Sequence, residues 1–326
     1  AVDDGVGAAF LPTDGHANPS DITLSLAKGA RMAGALIYED TKVTRIDVDK
    51  GVIKGIETSQ GYISCGVVIA CCGQWTRDFA RCVGVNVPLV SVEHQYMVTE
   101  PIAGVSPDMP TLRDPDRLTY YKEEVGGLVM GGYEPNPIMW AKNGIPKGFH
   151  YQLLERNFDH FEPIMEQALG RVPALQTAGV KMLTNGPESF TPDGNFILGE
   201  APELKNFYVG AGFNVYGITA GGGAGMALAE WVANTGPPYD LWAVDIRRFG
   251  RPHFDTDWVR ARTYEAYGKH YTMAWPAEEH DSGCPCRKSP LYERLKVDCA
   301  VFGEKLGWER PNLYADPDAA EQQRDI

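Results

Sequence analysis

The stretch from Gly210 to Gly225 (GAGFNVYGITAGGGAG) constrains this chain most, because glycine recurs at 210, 212, 217, 221, 222, 223 and 225. A strand-like run at 206–209 precedes it, and residues 225–233 after it have helical character. A strand that passes through glycines into a helix is an α/β unit. Bare backbone there approaches a ligand or another element closely, and the helix N-terminus carries partial positive charge. The segment departs from the G-x-G-x-x-G phosphate-binding pattern. Val215 stands where the third glycine belongs, and no acidic residue ends a following strand.

Three roles stay open for it: a dinucleotide phosphate cradle, a turn that only packs helix on strand, or a helix end facing the pyrimidine edge of a flavin. The last is preferred, since a positive dipole there stabilises a reduced, anionic ring.

The 326 residues suggest about two domains. Ile22, Leu24, Leu26, Ala27, Ala30 and Ala33 predict a helix over 21–33, with Asn18 or Ser20 as N-cap and Gly34 as stop. Strands are predicted at 35–38, 43–48, 52–58 and 67–70, with Asp49-Lys50-Gly51 as a tight turn. That order fits the second half of a large FAD-binding domain. From Leu89 to Glu134, alternation predicts antiparallel strands at 91–99, 118–122 and 128–133. A helix over 149–168, ended by Gly170 and Pro173, and a strand at 180–184 follow. The last ~85 residues show little periodicity and read as a wrapping extension or linker. The expected fold is α/β with an α+β second domain. Part of a FAD-binding domain with a parallel sheet occupies 1–88 and resumes at 186–240. An antiparallel substrate domain spans 89–185, and an extension spans 241–326.

Thirty Lys+Arg against 43 Asp+Glu give a net charge of −13, so no nucleic-acid partner is expected. The longest apolar run, Val67–Cys72, is far short of the ~20 residues that span a bilayer, so membrane insertion is not expected either. Seven scattered cysteines fit a reducing compartment. His280, Cys284, Cys286 and Cys299 have poor zinc-ligand spacing, and no metal is expected.

His94 shares a strand face with Tyr96 and Val98, and Tyr120 lies on another strand of the same region. If both strands face one cavity, the pair can hold or relay a proton over a substrate. A satisfied core histidine is the plainer alternative, and Tyr121 and Tyr133 fit ordinary sheet packing. No nucleophile elbow is present.

Read together, DGHANPSDI (14–22), KVTRI (42–46), VVIACCGQW (67–75), VEHQYMVTE (92–100), GGYEPNPIMW (131–140), GPESFTPDG (186–194), GEAPEL (199–204), GFNVYG (212–217), DIRRFG (245–250) and GWERP (307–311) carry a resemblance. In that order they resemble the sarcosine dehydrogenase and dimethylglycine dehydrogenase group of FAD-dependent amine-oxidising enzymes, over about residues 10–314. Several of them lean to the sarcosine side.

The resemblance implies that Val43 holds the adenine through backbone groups. It places Ala70, Gly73 and Trp75 at a strand end beside the cofactor, with Trp75 touching the flavin. Asn214, Val215, Tyr216, Gly217, Ile218 and Thr219 then lie against the isoalloxazine ring. His94 and Tyr120 fall on the family's substrate-side His and Tyr. The implied reaction is oxidative N-demethylation of a small N-methylated amino acid, with hydride passing to flavin N5. The imine formed is hydrolysed to formaldehyde or gives its one-carbon unit to tetrahydrofolate.

An electron-transfer flavoprotein is the implied partner. The implied location is the mitochondrial matrix in a eukaryote and the cytoplasm in a bacterium. The family's opening G-x-G-x-x-G, its covalently FAD-linked His and its folate-binding domain are not in this sequence. The chain is therefore read as the middle of a longer enzyme, expected to hold FAD weakly or not at all by itself. A regulatory relative resembling the pyruvate dehydrogenase phosphatase regulatory subunit and a plain nicotinamide dehydrogenase are the rival readings.

Overall fold

Asn18 caps the first helix, α1 (Pro19–Met32), by accepting hydrogen bonds from the amides of Ser20 and Asp21, and Gly34 follows at φ +93°. This computed structural model describes residues 5–305 and 307–315. The strand expected at 35–38 is not formed. Those residues pair with no strand among the described residues, and Leu36 and Tyr38 are exposed. Apolar sequence does not make a strand where no neighbouring edge takes up its backbone groups.

β1 (Val43–Asp49), β2 (Val52–Thr58) and β3 (Gly61–Ser64) form an antiparallel meander. β3 is exposed throughout and so leaves no hydrophobic alternation to read. β4 (Val68–Ala70) leads into a 3₁₀ turn at Gly73–Trp75 and then α2 (Thr76–Arg81).

The second sheet is built from β5 (Val90–Thr99), β6 (Leu112–Asp114), β7 (Thr119–Glu124), β8 (Gly127–Gly132), β9 (Met139–Trp140) and, after α3 (Phe158–Arg171), β10 (Val180–Phe190). Its order is β10-β5-β8-β7-β6, with β9 on the start of β5. α3 starts at Phe158 rather than near 149, because Asn157 caps it and Gln95 holds the Asn157 backbone through two hydrogen bonds. β10 continues through residue 185 to Phe190 and pairs with β5 along its length. One face of this sheet buries Met97, Tyr121, Met130 and Leu183 against Phe161 and Ile164 of α3. The other face carries His94.

The chain then returns through β11 (Ile197–Glu200) and β12 (Phe207–Ala211) to α4 (Gly217–Asn234). β12 runs parallel to β4, and Ala70, Phe207 and Val209 share one core with Ile46 and Ile53 of the meander. α4 begins at Gly217, earlier than the helical signal at 225, so most of the glycine cluster is helix. Each such glycine costs about 1 kcal/mol of helix propensity against alanine, which hides the helix from a propensity reading. Packing of Ala227, Leu228 and Trp231 on Leu198 and Tyr208 holds it.

The segment after 241 carries secondary structure of its own. α5 (Thr256–Gly268) is capped by Asp255, and α6 (Tyr292–Val297), β13 (Ala300–Lys305) and β14 (Trp308–Tyr314) follow. A buried Arg262–Glu304 ion pair of 2.5 Å fastens β13 to α5. α5 buries Arg262, Thr263 and Tyr267 beside Val259 and Ala266, so it presents no apolar stripe to the sequence. No described helix is long and apolar enough to cross a membrane.

Candidate active site

Register places a row of residues across the free face of the antiparallel sheet. Arg113 on β6 pairs with Tyr120 on β7, Tyr120 with Gly131 on β8, Gly131 with Tyr96 on β5, and Tyr96 with Thr184 on β10. His94 lies two residues from Tyr96 and opposite Gly186, while Glu188 lies opposite Val92. All of these side chains share one face, because strand residues two apart point the same way. Tyr120 reaches His94 across β8, and a Cβ at Gly131 would collide with the Tyr120 ring and hydroxyl. The glycine is what lets the two meet.

The structure brings His94 and Tyr120 together. His94 Nε2 lies 3.1 Å from the Tyr120 hydroxyl, and His94 Nδ1 lies 3.2 Å from the Tyr267 hydroxyl. Tyr267 donates to Glu134 at 3.4 Å, and Glu134 meets His160 Nε2 at 2.7 Å. With the Tyr267 proton spent on Glu134, its oxygen accepts from His94 Nδ1–H. Nε2 is then left as the acceptor for Tyr120. The chain of donors runs Tyr120 to His94 to Tyr267 to Glu134, and it leaves the Tyr120 oxygen able to receive a proton from outside. Gly268 lets α5 come this close, since a Cβ there would meet the Pro135 carbonyl.

Aromatic rings close over the pair. Tyr133 stacks on His94 with centroids 4.5 Å apart, and it also touches Tyr267, His270 and Tyr271 at 5.3, 4.7 and 4.5 Å. Burial, with His270 nearby, lowers the His94 pKa to about 4, so the imidazole is neutral near pH 7. Burial, with Arg113 nearby, lowers His270 to about 4 as well. Burial also holds the Tyr120 phenol well above its usual range. Glu188 is raised to about 8 by burial, and its Oε2 is buried without a hydrogen-bond partner among the described residues. The Arg113 guanidinium sits 4.0 Å above the Tyr271 ring.

The residues expected to touch a cofactor lie elsewhere, at the carboxyl ends of the parallel pair β4 and β12. This is where open α/β sheets bind ligands. Ala70 is buried in the core at the end of β4, Gly73 follows at φ +55°, and Trp75 is exposed. Asn214 is buried and acts as a brace, accepting from the Thr191 amide at 2.9 Å and donating to the Gly212 carbonyl at 2.7 Å. Val215, Tyr216, Gly217, Ile218 and Thr219 are exposed along the start of α4. Val43 stands apart, half-buried at the start of β1. Tyr216 lies 5.3 Å from His270, so the α4 terminus adjoins the His94 cluster.

These residues fit the ring end of a flavin. Tyr216 gives α4 no side-chain cap, leaving backbone N–H groups for a carbonyl edge. A Cβ at Gly221, Gly222, Gly223 or Gly225 would meet nothing within 4 Å among the described residues. Asn214 and Val215 both hold positive φ, +46° and +69°, which is costly for a β-branched residue and typical of ligand clamps.

Tyr267, Glu134, His270, Tyr271, Glu188 and Arg113 carry the site beyond what the sequence indicated. Clustered aromatics and a histidine at 267–271 were the available signal. A cavity of about 500 Å³ lies apart from this site, beside Asp193, Arg248, Arg262 and Glu304. Its two arginines are already spent on Asp193 and Glu304, so it offers little to a substrate.

A parallel strand pair opening onto a glycine-rich helix, beside an antiparallel sheet that joins a buried His to a half-buried Tyr, defines a flavin-type oxidoreductase. The chain belongs to the FAD dependent oxidoreductase family, whose description matches residues 1–231, and the central domain of FAD dependent oxidoreductases matches residues 236–289. It is 40% identical to mouse sarcosine dehydrogenase over 98% of this chain and 35% of that protein. It is 41% identical to 4-methylaminobutanoate oxidase (formaldehyde-forming) of Paenarthrobacter nicotinovorans, over 95% of this chain and 38% of that protein. The mouse pyruvate dehydrogenase phosphatase regulatory subunit is 36% identical over 97% of this chain and 36% of its own. The chain thus spans a little over a third of the length of these relatives. Among solved structures, L-proline dehydrogenase from P. horikoshii shares the fold at TM-score 0.63 and 24% identity, over 73% of this chain and 61% of that one.

Proposed function

We propose that this chain forms the amine-oxidising site of a FAD-dependent N-demethylase acting on a small N-methylated amino acid such as sarcosine or dimethylglycine. The observation that carries this reading is the His94–Tyr120 hydrogen bond on a sheet face adjoining the α4 terminus. Similarity to sarcosine dehydrogenase and to a formaldehyde-forming methylaminobutanoate oxidase supports the substrate class.

FAD, when bound, supplies a two-electron acceptor for oxidation of the N-methyl carbon. Val215, Tyr216, Gly217, Ile218 and Thr219 would hold its ring, with Gly73 and Trp75 at the neighbouring strand end and Val43 towards the adenine. Tyr120 faces the substrate amine; a proton on its way out of the site reaches the phenolic oxygen, and Tyr120 passes its own to His94 Nε2. His94 Nδ1–H then moves towards Tyr267, whose proton goes to Glu134. The aromatic lid of Tyr133, Tyr267 and Tyr271 keeps water from the reacting carbon. Arg113, which makes no ion pair among the described residues, supplies positive charge for the substrate carboxylate.

Covalent flavin attachment through a His outside this chain, an electron-transfer flavoprotein as acceptor, tetrahydrofolate as one-carbon acceptor on another domain, and a mitochondrial site in a eukaryote belong to the same proposal. Anaerobic mixing of the holoenzyme with sarcosine, dimethylglycine or 4-methylaminobutanoate tests it. The flavin absorbance should bleach, and formaldehyde should appear on turnover. A bound flavin left unbleached by every N-methyl amino acid would overturn the reading in favour of a regulatory protein, like the phosphatase subunit.

A further inference from the structure

We infer that Glu188 is the anionic partner of the substrate's alkylammonium group and the first acceptor of its proton, a role that rests on the amine-oxidising site proposed above. Three features of the sheet face converge on it. Glu188 stands on β10 opposite Val92 of β5, two pairs along from the His94–Gly186 pair, so its carboxyl shares the face and is a diagonal neighbour of His94. Its Oε2 is buried with no hydrogen-bond partner among the described residues. Buried carboxylate oxygens are ordinarily satisfied, and an exception needs a reason. The same face is paved with aromatic rings: Val92 and Phe190, which flank Glu188, pack with Tyr133, Tyr267, Tyr120 and Tyr271 in one cluster.

A carboxyl set among ring faces is the recognition chemistry of an alkylammonium ion. The ring quadrupoles attract the N-methyl cation, and one anion neutralises it. A neutral secondary amine or an alcohol gains little from either.

The groups facing Glu188 bear on its protonation. They are His94 on β5, Tyr120 on β7, Tyr133 beyond β8, and Tyr267 and Tyr271 at and beyond the end of α5, with Glu134 and His270 behind them. The tyrosines are held protonated by burial, and Glu188 itself raises the pKa of Tyr120, Tyr133, Tyr267 and Tyr271. His94 and His270 are neutral near pH 7. Arg113 is the fixed cation nearby, and it rests on the Tyr271 ring at 4.0 Å.

In the resting site Glu188 is therefore mostly protonated at pH 7, since burial raises it to about 8. Entry of the cation expels that proton to solvent and leaves a carboxylate–ammonium pair. The ammonium N–H then breaks, an O–H forms at Glu188, and the electron pair stays on nitrogen. A neutral amine able to release hydride results. The net change is one proton from substrate to solvent. An ordinary carboxyl is a far weaker base towards an ammonium, so the raised value eases this step.

Tetramethylammonium is a suitable probe because it has no N–H, and any proton released on binding comes from the protein. Calorimetric titration of the holoenzyme at pH 7, in two buffers of different ionisation enthalpy, should show net proton release on cation binding. Release should fade towards pH 9. Glu188→Gln should release none and bind at least about tenfold more weakly. Glu188→Asp, which keeps the charge, should restore part of both.

Equal proton release by the wild type and Glu188→Gln would overturn the inference, as would absence of tetramethylammonium binding to the wild type. Flavin bleaching by N-methyl amino acids is scored separately. If the wild type releases the proton yet its flavin is never bleached, the oxidation reading falls while the ammonium site stands. If bleaching occurs in both proteins with unchanged KM and pH profile, the Glu188 role falls and the oxidation reading stands.

Discussion

Tyr267 lies 3.2 Å from His94 Nδ1, although 173 residues separate them in the chain. The contact sets the imidazole's direction. Because Tyr267 also donates to Glu134, His94 presents a lone pair at Nε2 to Tyr120 and a proton at Nδ1 to Tyr267. Tyr267→Phe keeps the ring packing but removes this direction. It should lower stability by about 1 kcal/mol and slow substrate-driven flavin reduction. His94→Ala removes the acceptor itself and should slow that step by about 10²–10⁴-fold. Stopped-flow reduction of the two variants should rank them wild type, Tyr267→Phe, His94→Ala. Equal rates for all three would remove the relay from the mechanism.

Gly131 matters because Tyr120 lies over it. In Gly131→Ala the added methyl pushes the Tyr120 ring off β8 and breaks the 3.1 Å contact with His94. Overpacking of this kind costs about 1–3 kcal/mol. Tyr120→Ala in the same chain removes the collision, so the two substitutions should be strongly non-additive in thermal unfolding. Additive losses would mean that the ring does not depend on the glycine.

Much of the architecture was legible because it is written in short-range signals. Alternation exposed β5, β7 and β8, Asn18 and Gly34 marked the ends of α1, and the glycine segment marked the strand–helix unit of β12 and α4. His94 and Tyr120 were legible as residue types on strand faces. Their meeting was not, since it depends on the β5–β8–β7 register and on bare backbone at Gly131. Tyr267, Glu134 and Glu188 were hidden for a different reason. Tyr267 reaches His94 and Glu134 only by long-range docking of α5, which carries a mixed polar and aromatic face instead of a periodic stripe, and Glu188 joins the face because β10 runs past the expected strand end. The strand expected at 35–38 failed in the opposite sense, with a local signal but no partner edge among the described residues.

Protonation in the site gives stability a distinctive pH dependence. His94 and His270 have folded pKa values of about 4, below the ordinary 6.5, so the unfolded chain binds more protons between those limits. Their contribution is present above 6.5 and is lost as pH falls towards 4. Glu188 is raised to about 8 from 4.5, so its contribution is present below 4.5 and is lost as pH rises to 8. From 4.5 to 6.5 the two histidines outweigh the one carboxyl. From 6.5 to 8 Glu188 dominates these three groups and stability should decline. Chemical denaturation across pH 5–8.5 should show a maximum near 6.5, and Glu188→Gln should flatten the decline above it. An unchanged alkaline slope in the variant would contradict the protonated state of Glu188.

Arg113 provides the test of how the substrate is oriented. It is exposed on the edge strand β6, pairs in register with Tyr120 and rests on the Tyr271 ring at 4.0 Å. Aromatic support holds the guanidinium in place without consuming its donors, which make no hydrogen bond among the described residues and suit a bidentate carboxylate. A contact made equally in ground and transition states changes binding and not the chemical step. Arg113→Gln should therefore raise KM for N-methyl amino acids by about 10- to 100-fold, the cost of a charged hydrogen-bonded pair, while limiting flavin-reduction rates change little. Arg113→Lys should recover only part of the loss, because an ammonium cannot reproduce the planar fork. N-methylpropylamine, which lacks the carboxylate, should react equally poorly with the wild type and Arg113→Gln. A loss in Arg113→Gln that is as large for N-methylpropylamine as for sarcosine would show that Arg113 supports the aromatic lid and not the carboxylate.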